Sequence, residues 1–239
     1  MKTKATSTWM SALLAVLAAT FWLAPVAVAG GDDPRIAPPQ SHAYGKTLTE
    51  WMSIYLRWSL SGADPAHSTV GHVKMLPIPP GEYVDGDGTP DSPALYRGEL
   101  EITLRPGTPF VLPLGTWTVE RYEGYPGVPD DPAIANRVFL AGVSPSLNID
   151  GREVVSHRNK AAFYVPLTAF DPIVVYPEES SYGSVAAVAF QGYGIVSPPL
   201  SVGTHVMHLY EPYIIDSHSF PYQIGVIYDN TWRVTVTPH

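Results

Sequence analysis

Four ionisable side chains crowd one stretch near the end of the sequence: His205, His208, Glu211 and His218. Histidine and glutamate are side chains that ligate metals or move protons near neutral pH. The cluster is therefore the first candidate for catalysis, and its spacing limits what it can do. His-x-x-His-x-x-Glu would face one way on a helix. The intervening Val206, Met207, Leu209 and Tyr210 instead spell a strand, on which positions i and i+3 point to opposite faces. His205 and His208 can then share a metal only across a bulge. The His-x-His pair that a cupin-type strand site needs is absent. Any further ligand would have to come from afar, from His67, His72 or His157.

A second cluster is acidic. Asp85, Asp87 and Asp91 sit in the run Asp-Gly-Asp-Gly-Thr-Pro-Asp. Carboxylates spaced around glycines can wrap a hard cation such as Ca²⁺ with oxygen ligands, and the same residues are ordinary turn formers. The full EF-hand pattern is missing, since Thr89 and Tyr96 stand where its third Asp and closing Glu would be. Calcium is thus the one cofactor the sequence suggests, and none is required. Hydrolase signals are thin. There is no Gly-x-Ser-x-Gly elbow, and the neighbouring pairs Asp130-Asp131 and Glu178-Glu179 are poor material for opposed catalytic carboxylates. With no cysteine in the chain, thiolate catalysis and cysteine metal sites are excluded.

Aromatic residues supply the remaining chemistry. Fourteen tyrosines include Tyr210, Tyr213, Tyr222 and Tyr228, with Phe220 among them. Tyrosine rings stack on sugar rings and line apolar pockets while their hydroxyls hydrogen-bond. Tyr210, Tyr213, Phe220 and Tyr222 are the expected ligand-binding rim, for a glycan or a small amphipathic molecule.

The elements that must position these groups are one helix and many strands. Thr47 and Glu50 fit a capping box. Leu48, Trp51, Tyr55 and Trp58 then recur at helical spacing, and Ser61-Gly62 ends the run. The stripe reads either as a face packed on a sheet or as an aromatic ligand platform. After residue 70 the period changes from helical to two, first in the Leu100–Leu104 run. Alternating or apolar runs over 100–104, 110–114, 116–122, 138–143, 146–149, 153–155, 162–165, 173–176, 185–190, 194–196, 205–210, 222–228 and 232–236 are separated by Gly, Pro and Asp-Gly turns. Asp150-Gly151 marks a hairpin. Short strands at this spacing predict a mainly β protein. The expectation is an antiparallel, jelly-roll-like β-sandwich with one N-terminal amphipathic helix packed on it. It would span residues 44–239 as one domain after an extended lead-in over 30–43.

Residues 1–29 carry the three parts of a secretory signal: Lys2 and Lys4, an apolar run from Ser11 to Leu23, and Ala27-Val28-Ala29 for cleavage. The apolar run is shorter than a membrane span needs, so the expectation is an exported protein, periplasmic or extracellular, with no stable membrane anchor after cleavage. The chain of 239 residues has a net charge of −8. With no basic cluster, it is a poor match for nucleic acid.

Tyr44-Gly45-Lys46-Thr47 with Glu50-Trp51, Arg105-Pro106-Gly107-Thr108, Ile149-Asp150-Gly151-Arg152, Pro199-Leu200-Ser201-Val202-Gly203-Thr204-His205 and Thr231-Trp232-Arg233-Val234 occur in that order. This series resembles an uncharacterised family of secreted bacterial proteins with a Trp-bearing helix after the signal and a Pro-Leu-Ser-x-Gly-x-His segment. The resemblance implies export and a β-rich fold, and no activity. Two functions follow from the residues. One is an exported, non-catalytic binding or surface protein with an aromatic face. The alternative is an exported enzyme with a His/Glu site, metal-assisted or not, near residues 205–218.

Overall fold

The computed structural model describes residues 36–122, 140–180, 183–215 and 223–238. Eleven strands form two sheets among the described residues. The first holds β1 (Thr69–Val70), β2 (Val73–Met75), β5 (Phe110–Tyr122), β9 (Ser184–Ser197) and β8 (Tyr164–Val175), side by side in that order. The second holds β3 (Glu82–Asp85), β4 (Ala94–Leu104), β11 (Ile224–Val236), β10 (Gly203–Ile215), β6 (Ser146–Ile149) and β7 (Arg152–Val155). The expected β-sandwich is what forms. Most neighbours are antiparallel, but β2 runs parallel to β5 and β4 parallel to β11.

The sheets face each other across one apolar layer. Phe110, Leu112, Leu114 and Ile195 of the first sheet meet Leu147, Ile149, Met207, Leu209, Trp232 and Val234 of the second. The period of two explains the choice. On β10 the odd positions 205, 207, 209 and 211 are buried, and on β11 so are Asn230, Trp232, Val234 and Val236. Each large side chain buried this way contributes about 1.5–3 kcal/mol.

The helix α1 (Leu48–Leu60) forms with its capping box intact. The Thr47 N–H donates to Glu50 Oε2 at 2.7 Å, and the Glu50 N–H donates to Thr47 Oγ1 at 3.2 Å. Leu48, Trp51, Met52, Tyr55 and Leu56 are buried against the other face of the first sheet, with Val111, Phe170, Phe190 and Val196. Gly194 makes the seat: a Cβ there would lie 2.1 Å from Met52 Sδ. Trp51 Nε1–H donates to the Ala43 carbonyl and the Tyr55 hydroxyl to the Leu76 carbonyl. The aromatic stripe is thus packing, not a ligand platform.

Several expected turns are strand. β5 continues through Gly115, β9 through Gln191–Tyr193, and β11 through Asp229–Thr231. Glycine and short polar residues read as breaks in a sequence, whereas here they lie inside paired strands. At Gly192 a Cβ would come within 2.3 Å of the Gly115 carbonyl, so the missing side chain allows a close crossing. The segment expected as a strand over 138–143 is described only from Leu140, and there Val143 makes a single bridge to Tyr213. Strands β1 to β3 were not anticipated. No helix among the described residues is long and apolar enough to cross a membrane.

Candidate functional site

Both sheets lose a strand at the same end. β2 pairs with β5 only at Phe110 and Val111, and β6 pairs with β10 only as far as Tyr210. Pro113 and Pro212 lie just beyond those points, where a residue without an N–H costs the ladder least. Past them the inter-sheet layer opens into a cleft of about 140 Å³ lined by Ile78, Pro113, Gly115, Thr116, Glu211, Tyr228 and Asn230.

Glu211 is the charged side chain of that lining. It continues the inward row of β10 beyond His205, Met207 and Leu209, and only 8% of its surface is exposed. Burial pushes its carboxyl from 4.5 up to about 7, opposed by the Tyr213 hydroxyl, which favours the charged form. No Lys, Arg or His among the described residues forms an ion pair with it. The opposite wall is shaped to admit it. β5 is bulged between Pro113 and Gly115, and Gly115 has φ +148°, a left-handed value that favours glycine. A Cβ at Gly115 would stand 3.0 Å from Glu211 Oε1 and 3.2 Å from Val143 Cγ1.

Tyr213, two residues on, bridges the sheets. Its hydroxyl accepts from the Thr116 N–H at 3.0 Å and donates to the Thr116 carbonyl at 3.2 Å. Burial, with the Glu211 charge beside it, raises the Tyr213 hydroxyl well above its ordinary value, so it stays neutral. Asn230 is 3% exposed and lines the cleft above Gly98, where a Cβ would lie 2.7 Å from Asn230 Oδ1.

A straight row of side chains leads outward from Glu211. Glu211 is the register partner of Tyr228, Tyr228 of Tyr96, and Tyr96 of Tyr83. Direct cross-strand partners on one face are in contact, and these rings are. Tyr228 and Tyr96 stack with centroids 5.7 Å apart. Tyr96 and Tyr83 meet edge to face at 5.9 Å, as do Tyr213 and Tyr228. The row runs from a buried carboxylate to Tyr83, which is 59% exposed.

The residues singled out from the sequence separate. Glu211 and Tyr213 come together at the cleft. Tyr210 is exposed on the opposite face of β10. His218, Phe220 and Tyr222 lie outside the described residues. His205 is buried at the far end of β10, with Nδ1 2.7 Å from Asp150 Oδ2 and Nε2 2.9 Å from the Ser201 carbonyl. Both ring nitrogens are thus engaged within the protein. His208 points outward, its Nε2 2.6 Å from Asp229 Oδ1, and Arg97 Nε donates to the same carboxylate at 3.1 Å. The strand parity expected for His205 and His208 thus holds, and neither joins Glu211. The sequence passed over Tyr83, Tyr96 and Asn230. Alternation places each on a face, but only the register puts them in one row.

Asp85, Asp87 and Asp91 are not gathered around a common point. Asp85 Oδ1 accepts from the Gly86 N–H at 2.8 Å and Asp87 Oδ1 from the Thr89 N–H at 3.0 Å. No group of three His, Asp or Glu among the described residues is arranged to hold a metal ion. The glycines of the loop hold positive φ, and one of them also serves packing. Gly86 lies against the Pro93 backbone, where a Cβ would be 2.0 Å from the carbonyl. The loop also rests on β11, where the Gly225 N–H donates to the Gly88 carbonyl.

A second, broader groove of about 470 Å³ lies between the end of α1 and the β8–β9 connection, lined by Leu60, Glu120, Tyr176 and Glu178 among others. Its buried polar atoms are already matched. Glu120 Oε1 accepts from the Tyr176 hydroxyl at 2.8 Å and from Thr118 Oγ1 at 3.1 Å. Compared with protein-family models and with curated proteins, the chain finds no match in either.

Proposed function

We propose that this chain is an exported, non-catalytic binding protein whose ligand enters the cleft between the sheets, resting on the tyrosine row with a polar group against Glu211. The observation that carries the reading is the register Glu211–Tyr228–Tyr96–Tyr83 across four strands. Sites for small molecules are concave and mostly apolar, with a few convergent polar groups. The Glu211 cleft has this composition. Export rests on the secretory features of residues 1–29 and on the resemblance to secreted bacterial proteins. The enzyme reading draws less support, because His205 lies at the far end of the inward row and His208 on the opposite face, and the two are engaged with Asp150 and Asp229.

The test is ligand-observed NMR on the purified chain with small sugars and small amphipathic molecules. Saturation transfer to at least one of them is expected, and it should disappear in Tyr228→Ala while the protein still melts cooperatively. Transfer that survives both Tyr228→Ala and Glu211→Gln would place the ligand elsewhere, and no transfer to any compound would remove the reading.

A further inference from the structure

Resting on that reading of the cleft, we infer that its ligand is a small organic cation, an alkylammonium head whose charge lies against Glu211 and whose methyl groups lie against the Tyr228 ring. Three observations converge on positive charge. Glu211 is a carboxylate nine-tenths buried, lining a cavity, with no cationic partner among the described residues. A buried charge is costly unless it is paired, so the ligand that gains most here is one that brings the missing charge. The wall beside it is a tyrosine stacked on a second tyrosine, and the negative face of an aromatic ring attracts ammonium groups. The chain is acidic, with a net charge of −8. Asp85, Asp87 and Asp91 follow Tyr83, the exposed end of the row, along β3 and the next loop, and an acidic chain attracts cations.

Competing ligands fit less well. A divalent metal wants six to eight hard oxygens for Ca²⁺ or near-octahedral geometry for Mg²⁺, and the side chains of the lining offer one carboxylate, one amide and the hydroxyls of Thr116 and Tyr228. A neutral sugar would leave the Glu211 charge unmatched inside a low-dielectric cleft. On its own sheet Glu211 faces Tyr213 and its register partner Tyr228. The facing stretch of β5 presents Pro113, Gly115 and Thr116, and the loop before β3 presents Ile78. The nearby segment at Val143 carries Lys160 only through its carbonyl, to which Nζ donates at 2.7 Å while lying 5.6 Å over the Tyr193 ring. A cation that binds the ionised form therefore displaces the proton from Glu211, and its affinity climbs with pH.

The experiment compares choline, its neutral carbon isostere 3,3-dimethyl-1-butanol, and methyl glucoside, by calorimetric titration into the full chain at pH 6 and pH 8. Choline is expected to bind about tenfold more tightly at pH 8, because the competent, ionised fraction of a group titrating near 7 changes by about that factor. The isostere is expected to bind at least about tenfold more weakly than choline at pH 8. Glu211→Gln should weaken choline and abolish the pH dependence. Equal binding of choline and its isostere would overturn the cation while leaving the cleft as a binding site, and so would binding of methyl glucoside alone. Silence from all three would overturn both. The comparison of choline with its isostere needs only the wild-type chain, so a Glu211→Gln variant that failed to fold would not weaken it.

Discussion

The two ends of β10 carry the same kind of residue in opposite circumstances. At one end His205 is inward, buried and ionisable, and so at the other is Glu211. His205 has each nitrogen held by an acceptor, Asp150 and Ser201. Asp150 in turn occupies a left-handed position of the β6–β7 hairpin, and its Oδ1 accepts from the Val206 N–H at 2.9 Å. The histidine end is a clasp that joins a hairpin to the middle of a sheet. Glu211 has no such clasp. A flanking glycine and a bulge leave room around its oxygens, and a cleft opens in front of them. The difference teaches that burial of an ionisable group does not identify a site. What identifies one is hydrogen-bonding and charge capacity left over and aimed at space.

The sharpest way to break this comparison is to remove the charge at the open end. The folded Glu211 carboxyl titrates above its unfolded value, so folding takes up a proton between about 4.5 and about 7. Stability is therefore penalised above that window and the penalty is lost as pH falls through it. At about 1.36 kcal/mol per pH unit, the ionised carboxylate costs the fold about 3 kcal/mol at pH 8. Glu211→Gln is expected to melt several degrees higher than wild type at pH 8, with the gap closing by pH 4. Thermal melts at both values measure it. A variant less stable than wild type at pH 8 would mean that the carboxylate is paired after all.

The clasp should respond in the opposite sense. Asp150→Ala takes the carboxylate from the Val206 N–H and from Nδ1 of the buried His205, which is worth about 2 kcal/mol, or about 4–8 °C in melting temperature for a chain of this size. Asp150→Asn tolerates the left-handed backbone and keeps an acceptor for Val206, so it should lose less. Equal stability of Asp150→Ala and wild type would show that the His205 end is not structural.

Half of this contrast was legible in the sequence. The capping box at Thr47, the buried stripe of Trp51 and Tyr55, the sandwich and the Asp150-Gly151 hairpin follow from local rules, because they depend on residues a few positions apart. Strand parity also separated His205 from His208. Glu211 was noticed, but for the company of His205 and His208, which the fold sends elsewhere. Its actual companions, Tyr228, Tyr96 and Tyr83, come from strands joined in part by the parallel β4–β11 pairing, and no turn in the sequence encodes that register. The carboxylates of 85–91 were noticed for their spacing, whereas what the loop needs at Gly86 and Gly88 is positive φ.

A smaller effect tests how the open end is braced. Tyr213→Phe removes the hydroxyl that meets both the Thr116 N–H and the Thr116 carbonyl, on a stretch of β5 that β2 does not reach. A loss of about 1 kcal/mol is expected, read as a melting shift. Because Tyr213 also favours the charged form of Glu211, the same change should move the Glu211 titration upward, measurable by NMR of the side-chain carboxyl. A lost brace with an unmoved titration would show that Tyr213 holds the sheets together and does nothing for Glu211.

The smallest effect expected comes from chelation. For Asp85, Asp87 and Asp91 to wrap a cation, Asp85 and Asp87 would have to give up the Gly86 and Thr89 N–H groups that now shape the turn. The turn would also have to lift from Gly225, where a Cβ would sit 1.9 Å from the Thr89 carbonyl. These contacts already supply what a structural ion would supply, a fixed path for the chain between β3 and β4. Melting in EDTA should therefore match melting in Ca²⁺. A melting temperature that falls on chelation would show that the loop rearranges around a metal, and would turn the acidic loop from a source of potential into a site of its own.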